Sequence, residues 1–326
     1  KLPDDTEEEI ERMIEEGAPL SSEHIGKAFR TETAVGRYAE FVKTTFDKDL
    51  DLRGLKVVID CANGATYKVA PAAIEELGAE ITVINDKPNG ANINDNCGAT
   101  APEGMAEKVR EIGADIGFSF DGDGDRLIAC DSSGHIVDGD YILGICGSFM
   151  KEQGRLAKNT IVATVMSNQG FVNSMNRRGI NVVRSKVGDR YVLECMKAGG
   201  YNVGGEQSGH IIFSEYISTG DGLISALQIL KVMIGSGKPL DKLAEGIEIF
   251  PQVLKNIPAP KKIPLEDMPH TSKLIDSFSK KLGDTGRVLV RYSGTENKLR
   301  VMLEGENQDI IERYAQDIAD QALKEL

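Results

Sequence analysis

Ile116-Gly117-Phe118-Ser119-Phe120 runs straight into Asp121-Gly122-Asp123-Gly124-Asp125-Arg126. The first five residues read as a short buried strand. The six that follow cannot extend it, because carboxylates at every second position repel one another and the glycines between them let the backbone fold tightly. A strand that ends in such a loop is what an open α/β sheet presents at the carboxyl ends of its strands, where ligands sit. Asp121, Asp123 and Asp125 together form a compact hard-oxygen site of the kind small octahedral cations such as Mg²⁺ favour, at about 2.0–2.1 Å. A calcium loop of the helix–loop–helix type would place Gly sixth and Glu twelfth, and here those positions hold Arg126 and Ser132. Arg126 adds a planar fork suited to phosphate, so metal and anion meet at one point. That pairing suggests phosphoryl transfer.

Upstream of this stretch a helical pattern covers 34–46 and a strand covers Val57–Asp60. A turn at Asn63-Gly64 leads to a helix over 69–77, a strand over Glu80–Ile84, a glycine-rich loop over 89–99 and a helix over Glu103–Ile112. Downstream the order repeats. A strand over 160–165, a turn at Ser167–Gly170, a helix over 171–178 and a strand over 181–184 lead to a second polar loop, Gly205-Glu206-Gln207-Ser208-Gly209-His210. Each special loop precedes an apolar strand and a Gly-Asp pair that opens a helix, Gly139-Asp140 in the first half and Gly220-Asp221 in the second. Alternating strands and helices predict two related, doubly wound α/β domains with parallel sheets. Beyond Pro251 the texture changes to a strand over 253–257, prolines at 258, 260 and 264, a helix over 271–282, strands over 287–290 and 299–303, and a last amphipathic helix over 308–326. This predicts a small α+β domain with an antiparallel sheet. The domains so read are 1–48, a remnant of a first α/β domain with its linker; 49–150, with the metal loop; 151–250, with the second loop; and 251–326.

A length of 326 residues fits several domains, and 40% hydrophobic with 27% charged residues describes a globular chain. The formal net charge of −13 argues against nucleic acid or an anionic membrane as partner, so an anionic substrate needs a local basic pocket. Five widely spaced cysteines without a CxxC pair fit a reducing cytoplasm rather than a disulfide framework or a zinc site. No apolar run approaches the ~18 residues of a membrane span, and no signal peptide opens the chain. The chain begins Lys1-Leu2-Pro3 rather than with Met, and its opening segment reads as a helix with a Thr6–Glu9 capping box, an apolar stripe of Ile10, Met13 and Ile14, and Gly17 at its end. Such a stripe calls for a partner surface upstream, and the expectation is a chain that has been cut.

Two further loops carry chemistry. Arg291-Tyr292-Ser293-Gly294-Thr295-Glu296-Asn297-Lys298 joins two strands of the last domain, and with Arg300 it makes a phosphate cradle. In the second loop Glu206 and Ser208 suit sugar hydroxyls, and His210 is a candidate for proton movement near neutral pH. Lys186–Arg190 adds basic charge on a turn, a signal that an ordinary helix start explains almost as well.

Taken together and in this order, DGDGDR at 121–126, GGExSGH at 204–210 and RxSGTE at 291–296 resemble the α-D-phosphohexomutase family, a four-domain architecture with one loop per domain. Within it the nearest likeness, carried also by Asp60–Ala65, Met166–Asn168, Val187–Val192 and Gly220–Leu223, is to the bacterial members that act on glucosamine phosphates. The resemblance implies interconversion of glucosamine 6-phosphate and glucosamine 1-phosphate through a phosphoserine and a bisphosphorylated sugar, feeding peptidoglycan precursor synthesis in the cytoplasm. It implies Mg²⁺ on Asp121, Asp123 and Asp125, with Arg126 beside the phosphoserine and His210 as an acid/base helper. Glu206 and Ser208 would hold the sugar hydroxyls, and Arg291, Ser293, Gly294, Thr295 and Arg300 the phosphate that is not reacting. The resemblance allows a homodimer. The family's S-x-S/A-H-N-P serine motif does not occur in this sequence, and Asn297-Lys298 stands where Pro-Leu is commoner. The expectation is therefore that about a hundred residues, an ordinary domain's length, lie upstream and carry the nucleophile. Two alternatives remain: a member acting on mannose and glucose phosphates, or a non-catalytic module that binds Mg²⁺ and phosphosugar.

Overall fold

The computed structural model describes residues 4–17, 26–29, 31, 33–293 and 296–326. Strands β1 (Lys56–Asp60), β2 (Glu80–Ile84), β3 (Ile116–Phe120), β4 (Leu127–Asp131) and β5 (Ile136–Val137) form one sheet in the order β2-β1-β3-β4-β5. Strands β6 (Thr160–Thr164), β7 (Asn181–Ser185), β8 (Val203–Gly205) and β9 (Ile211–Phe213) form a second, β7-β6-β8-β9. Strands β10 (Gln252–Pro258), β11 (Gly286–Tyr292) and β12 (Lys298–Gly305) form a third, β10-β12-β11. The two α/β domains and the antiparallel α+β domain expected from the sequence are thus present.

One expectation needs correcting. The first two sheets are mixed, not purely parallel: β1, β2 and β3 run parallel, as do β6, β7 and β8, but β4 returns antiparallel to β3 and β9 antiparallel to β8. The reason is length. A parallel crossover needs about a dozen residues or more, whereas only 121–126 separate β3 from β4 and only 206–210 separate β8 from β9. Both chemistry-bearing loops are therefore hairpin tips.

The central strands β3 and β6 are buried at every residue, as strands covered on both faces must be. Helix Gly222–Ser236 is buried continuously from Gly222 to Met233, and it joins the first two sheets in one apolar core. Leu223, Ile224, Leu227, Ile229 and Leu230 are each at most 1% exposed, and burying each such side chain stabilises by about 1.5–3 kcal/mol. Its polar members reach back to the 34–47 segment: Gln228 donates to the Thr45 carbonyl (3.1 Å), and Lys231 pairs with Asp47 (2.6 Å). The metal loop and the second loop therefore sit on a single packed body.

In the third sheet, Val288, Val290, Val301 and Leu303 face helices Pro269–Leu282 and Gln308–Glu325, whose Phe278 and Tyr314 rings stack at 3.9 Å. The opening helix spans Asp4–Glu16. Thr6 lies inside it, so the expected capping box does not form, and Glu9 pairs instead with Arg12 (2.6 Å). Ile10, Met13 and Ile14 stay 43, 49 and 74% exposed. No helix among the described residues is long and apolar enough to cross a membrane.

Candidate active site

β3 delivers Asp121 into a buried position, 7% exposed, at its carboxyl end. One oxygen from each of Asp121, Asp123 and Asp125 lies within 4.8 Å of the others. Burial, with the negative charge of Asp125 adding to it, pushes the Asp121 carboxyl up to about 6. The hydrogen bond from His210 holds Asp125 below the usual carboxylate range. The Arg126 Nε stands 3.6 Å from Asp121 and 3.8 Å from Asp125, buried and without a hydrogen-bond partner. Three converging carboxylates, an oxygen-only set among the described residues, suit a hard divalent cation, and burial more than their mutual repulsion is what raises Asp121.

The loop's shape is imposed by its neighbours. Ala65 N–H donates to the Gly122 carbonyl (2.8 Å), and a Cβ on Gly64 would lie 2.3 Å from that oxygen. Gly222 N–H donates to the Gly124 carbonyl (3.0 Å), and Gly124 itself needs φ +79°. Ile93 and Asn94 close the other side, since a Cβ on Gly122 would meet them at 2.5 and 2.9 Å. Asp60, fully buried at the end of β1, shapes the adjoining turn by accepting from Ala62 N–H (2.9 Å), Gly98 N–H (2.9 Å) and the Asn85 amide (3.0 Å). The sequence marks the strand end at Asp60 and the turn at Asn63-Gly64, but nothing local in it signals that this backbone supports a loop some sixty residues away.

The second loop joins the metal loop edge to edge. Arg126 and His210 form a β-bridge, and Leu127 N–H donates to the Gly209 carbonyl (3.1 Å). Gly209, at φ +94°, has no room for a Cβ, which would fall 2.2 Å from the Leu127 oxygen. His210 is 4% exposed, and both its ring nitrogens are engaged. Nε2 accepts from Gly220 N–H (3.1 Å), so the ring hydrogen sits on Nδ1 and is directed at Asp125 Oδ2 (2.9 Å). That arrangement leaves neither nitrogen free to exchange a proton with a ligand. Glu206 is half-buried, with Oε1 held by Gly188 N–H (3.0 Å), which gives the Lys186–Arg190 turn a role the sequence left weak; Ser208 is exposed beside it.

The paired Gly-Asp motifs are not equivalent in space. Asp221 is the N-cap of its helix, accepting from Ile224 N–H (2.9 Å), and it also takes the Tyr38 hydroxyl (2.5 Å). In the first half the N-cap is Asp138, and Asp140 lies one step inside the helix, wholly buried, where burial and then Asp138 push its carboxyl up to about 8.

In the third sheet Arg291 and Arg300 stand directly opposite one another across β11 and β12. Burial and the facing Arg300 charge hold Arg291 below its ordinary range. Among the described residues the hydrogen-bond partner of Arg291 is the Met166 sulfur (3.6 Å), while Arg300 reaches Glu296 (3.1 Å). Ser293 is buried, and its hydroxyl accepts from Glu296 N–H (3.2 Å). Gly294 and Thr295 lie outside the described residues. Two facing guanidiniums, with the exposed Glu296 carboxylate shared between Arg300 and Lys298, are short of negative charge, as an anion site should be. No hydrogen bond or ion pair among the described residues ties this hairpin to the metal loop or the second loop; it meets the second α/β domain at Met166.

Three family models for phosphoglucomutase/phosphomannomutase match this chain: alpha/beta/alpha domain II over 36–134, alpha/beta/alpha domain III over 138–250, and the C-terminal domain over 244–321. A phosphoglucosamine mutase from Syntrophotalea carbinolica is 52% identical over 325 residues, 98% of this chain and 71% of that protein. One from Myxococcus xanthus is 48% identical over 331 residues, 100% of this chain and 72% of its own length. The chain belongs to the phosphoglucosamine mutases of the phosphohexomutase family. Solved structures agree on the fold. A Burkholderia thailandensis phosphoglucomutase/phosphomannomutase family protein superposes with TM-score 0.76 at 22% identity, covering 99% of this chain and 70% of that one. An Aspergillus fumigatus N-acetylphosphoglucosamine mutase, solved with GlcNAc-6P and magnesium, superposes with TM-score 0.70 at 20% identity over 87% of this chain and 69% of that one.

Proposed function

We propose that this chain supplies the metal, sugar and phosphate sites for interconverting glucosamine 6-phosphate and glucosamine 1-phosphate. One observation carries the reading: the loop of three carboxylates is bonded edge to edge to the loop bearing Glu206 and Ser208, so a cation and a sugar are held on one rigid body. Asp121, Asp123 and Asp125 would hold Mg²⁺, which when bound offsets the charge of a phosphoryl group in transit. In the first half-reaction a sugar hydroxyl attacks the phosphorus of a phosphoserine, the serine Oγ–P bond breaks, and the hydroxyl proton leaves to solvent or a base; in the second the freed serine Oγ attacks the sugar's other phosphate, the O–P bond to the sugar breaks, and the released sugar oxygen takes up a proton. Arg126, whose side chain stays partly exposed beside Asp121 and Asp125, would face the anion. Glu206, oriented by Gly188 N–H, and Ser208 accept and donate at the sugar hydroxyls. Arg291 and Arg300, with Ser293, Gly294 and Thr295, hold the resting phosphate at the far end of the substrate. His210 orients Asp125 through its Nδ1–H in this reading and transfers no proton.

Relative turnover tests it. Glucosamine 6-phosphate is expected to turn over faster than mannose or glucose 6-phosphate once the phosphoserine segment is supplied, and a preference for mannose overturns the amino-sugar reading. Turnover by these 326 residues alone overturns the assignment of the nucleophile to a serine outside them.

A further inference from the structure

β11 and β12 alternate, so one face of their sheet carries Val288, Val290, Val301 and Leu303 into the domain's own core. The other face presents three cross-strand pairs in register: Arg287 with Glu304, Leu289 with Met302, and Arg291 with Arg300. The first and third pairs lie four residues apart along each strand, about 13 Å. Glu304 is fully buried, and Arg287 is 15% exposed in its side chain. Arg287 binds Glu304 through Nε (2.8 Å) and Nη2 (3.1 Å), then donates to the Val165 carbonyl (2.8 Å) and the Ser167 carbonyl (2.9 Å). Glu304 in turn accepts from Gln169 N–H (2.9 Å). Every one of those cross-domain contacts falls on the turn at the end of β6, and the residue between Val165 and Ser167 is Met166, which touches Arg291.

A buried ion pair is poor evidence for stability, because apolar residues of equal volume often do as well. What it does supply is geometry, and an arginine fork with every arm committed leaves little latitude in distance or angle. We propose that Arg287 and Glu304 are positioning residues. Gripping the 165–169 turn, they set how far the Arg291/Arg300 pair stands from the sugar loop, so that a single phosphosugar can reach both. This rests on the reading of Arg291 and Arg300 as the resting-phosphate site. A ligand that bridges two sites gains from their fixed spacing as an effective concentration, whereas a ligand that fills one site does not.

The test uses the 326-residue chain with three probes, glucosamine 6-phosphate, inorganic phosphate and Mg²⁺, each titrated calorimetrically. For Arg287→Lys, and for the apolar pair Arg287→Met with Glu304→Met that guards against simple unfolding, glucosamine 6-phosphate is expected to bind about tenfold more weakly. Inorganic phosphate and Mg²⁺ are expected to bind as in the parent. Unchanged glucosamine 6-phosphate binding overturns the proposal, and so does an equal loss for both phosphate ligands. Arg291→Ala separates the underlying reading: it should weaken both phosphate ligands, and if it weakens neither, the anion site itself is misassigned and the spacing role falls with it.

Discussion

Replacing His210 in two different ways separates orientation of the metal loop from stability. Asn at position 210 places its amide where imidazole Nδ1 stood, so it can still donate to Asp125, but it abandons Gly220 N–H. Gln places its amide near Nε2, so it can still accept from Gly220 N–H but no longer reaches Asp125. The Asp125 contact is a 2.9 Å hydrogen bond to a carboxylate, and such bonds contribute about 1.5–3 kcal/mol. Loss of a hydrogen-bond partner behind a metal ligand costs about 10–100-fold in metal affinity, the same range in free energy at 1.4 kcal/mol per decade. His210→Gln should therefore weaken Mg²⁺ binding by about 10–100-fold with a smaller stability loss than His210→Asn, because water can reach the partly exposed Asp125 carboxylate and not the buried Gly220 N–H. His210→Asn should keep Mg²⁺ affinity near the parent's and lose about 1–3 kcal/mol of stability, the cost of an orphaned buried N–H. Calorimetric Mg²⁺ titrations paired with urea unfolding read both quantities on the same samples. If the two variants bind Mg²⁺ equally well, the orienting role is wrong, and His210 returns as a candidate for moving protons.

Because burial and Asp125 hold the free Asp121 carboxyl at about 6, its proton must leave before Mg²⁺ enters. Affinity should be flat above that pH and fall about tenfold per unit below it; titrations at pH 5, 6 and 7.5 showing no slope would count against the site. Asp140, raised to about 8 by burial and Asp138, keeps its proton when folded but not when unfolded. Its contribution is complete below about pH 4 and is lost as pH rises through 8, so stability should decline between pH 6 and 8 by up to about 2–3 kcal/mol. Asp140→Asn, which retains an oxygen for Asn168 N–H (2.8 Å), should flatten that decline in urea midpoints, and parallel curves would refute it. Gly64→Ala puts a Cβ 2.3 Å from the Gly122 carbonyl; it should cost about 1–3 kcal/mol and weaken Mg²⁺ binding, whereas parent-like values in both titrations would show that the loop does not depend on this approach.

Local features were legible. The clustering of the Asp121, Asp123 and Asp125 carboxylates follows from their spacing, the strand before them declares its burial by composition, and the change of texture after Pro251 marks the third sheet. These readings need only neighbours in the chain, because side-chain type and backbone freedom are local properties. What the sequence left open are contacts between residues far apart. Nothing in it says that β4 and β9 turn back antiparallel, though loop length hints at it. Nothing makes Asp60, Gly64 and Gly222 the mould around the metal loop, or swaps the roles of Asp138 and Asp140 relative to Asp221.

His210 shows the boundary most clearly. As a letter it is a group poised to titrate; in the fold its two nitrogens are claimed by Gly220, ten residues on, and by Asp125, eighty-five residues back. Residue type by itself determined which chemistries this chain could hold. Tertiary structure decided which of those groups are free to act, because a polar atom's availability depends on whether packing has already given it a partner, and its partners come from anywhere in the chain.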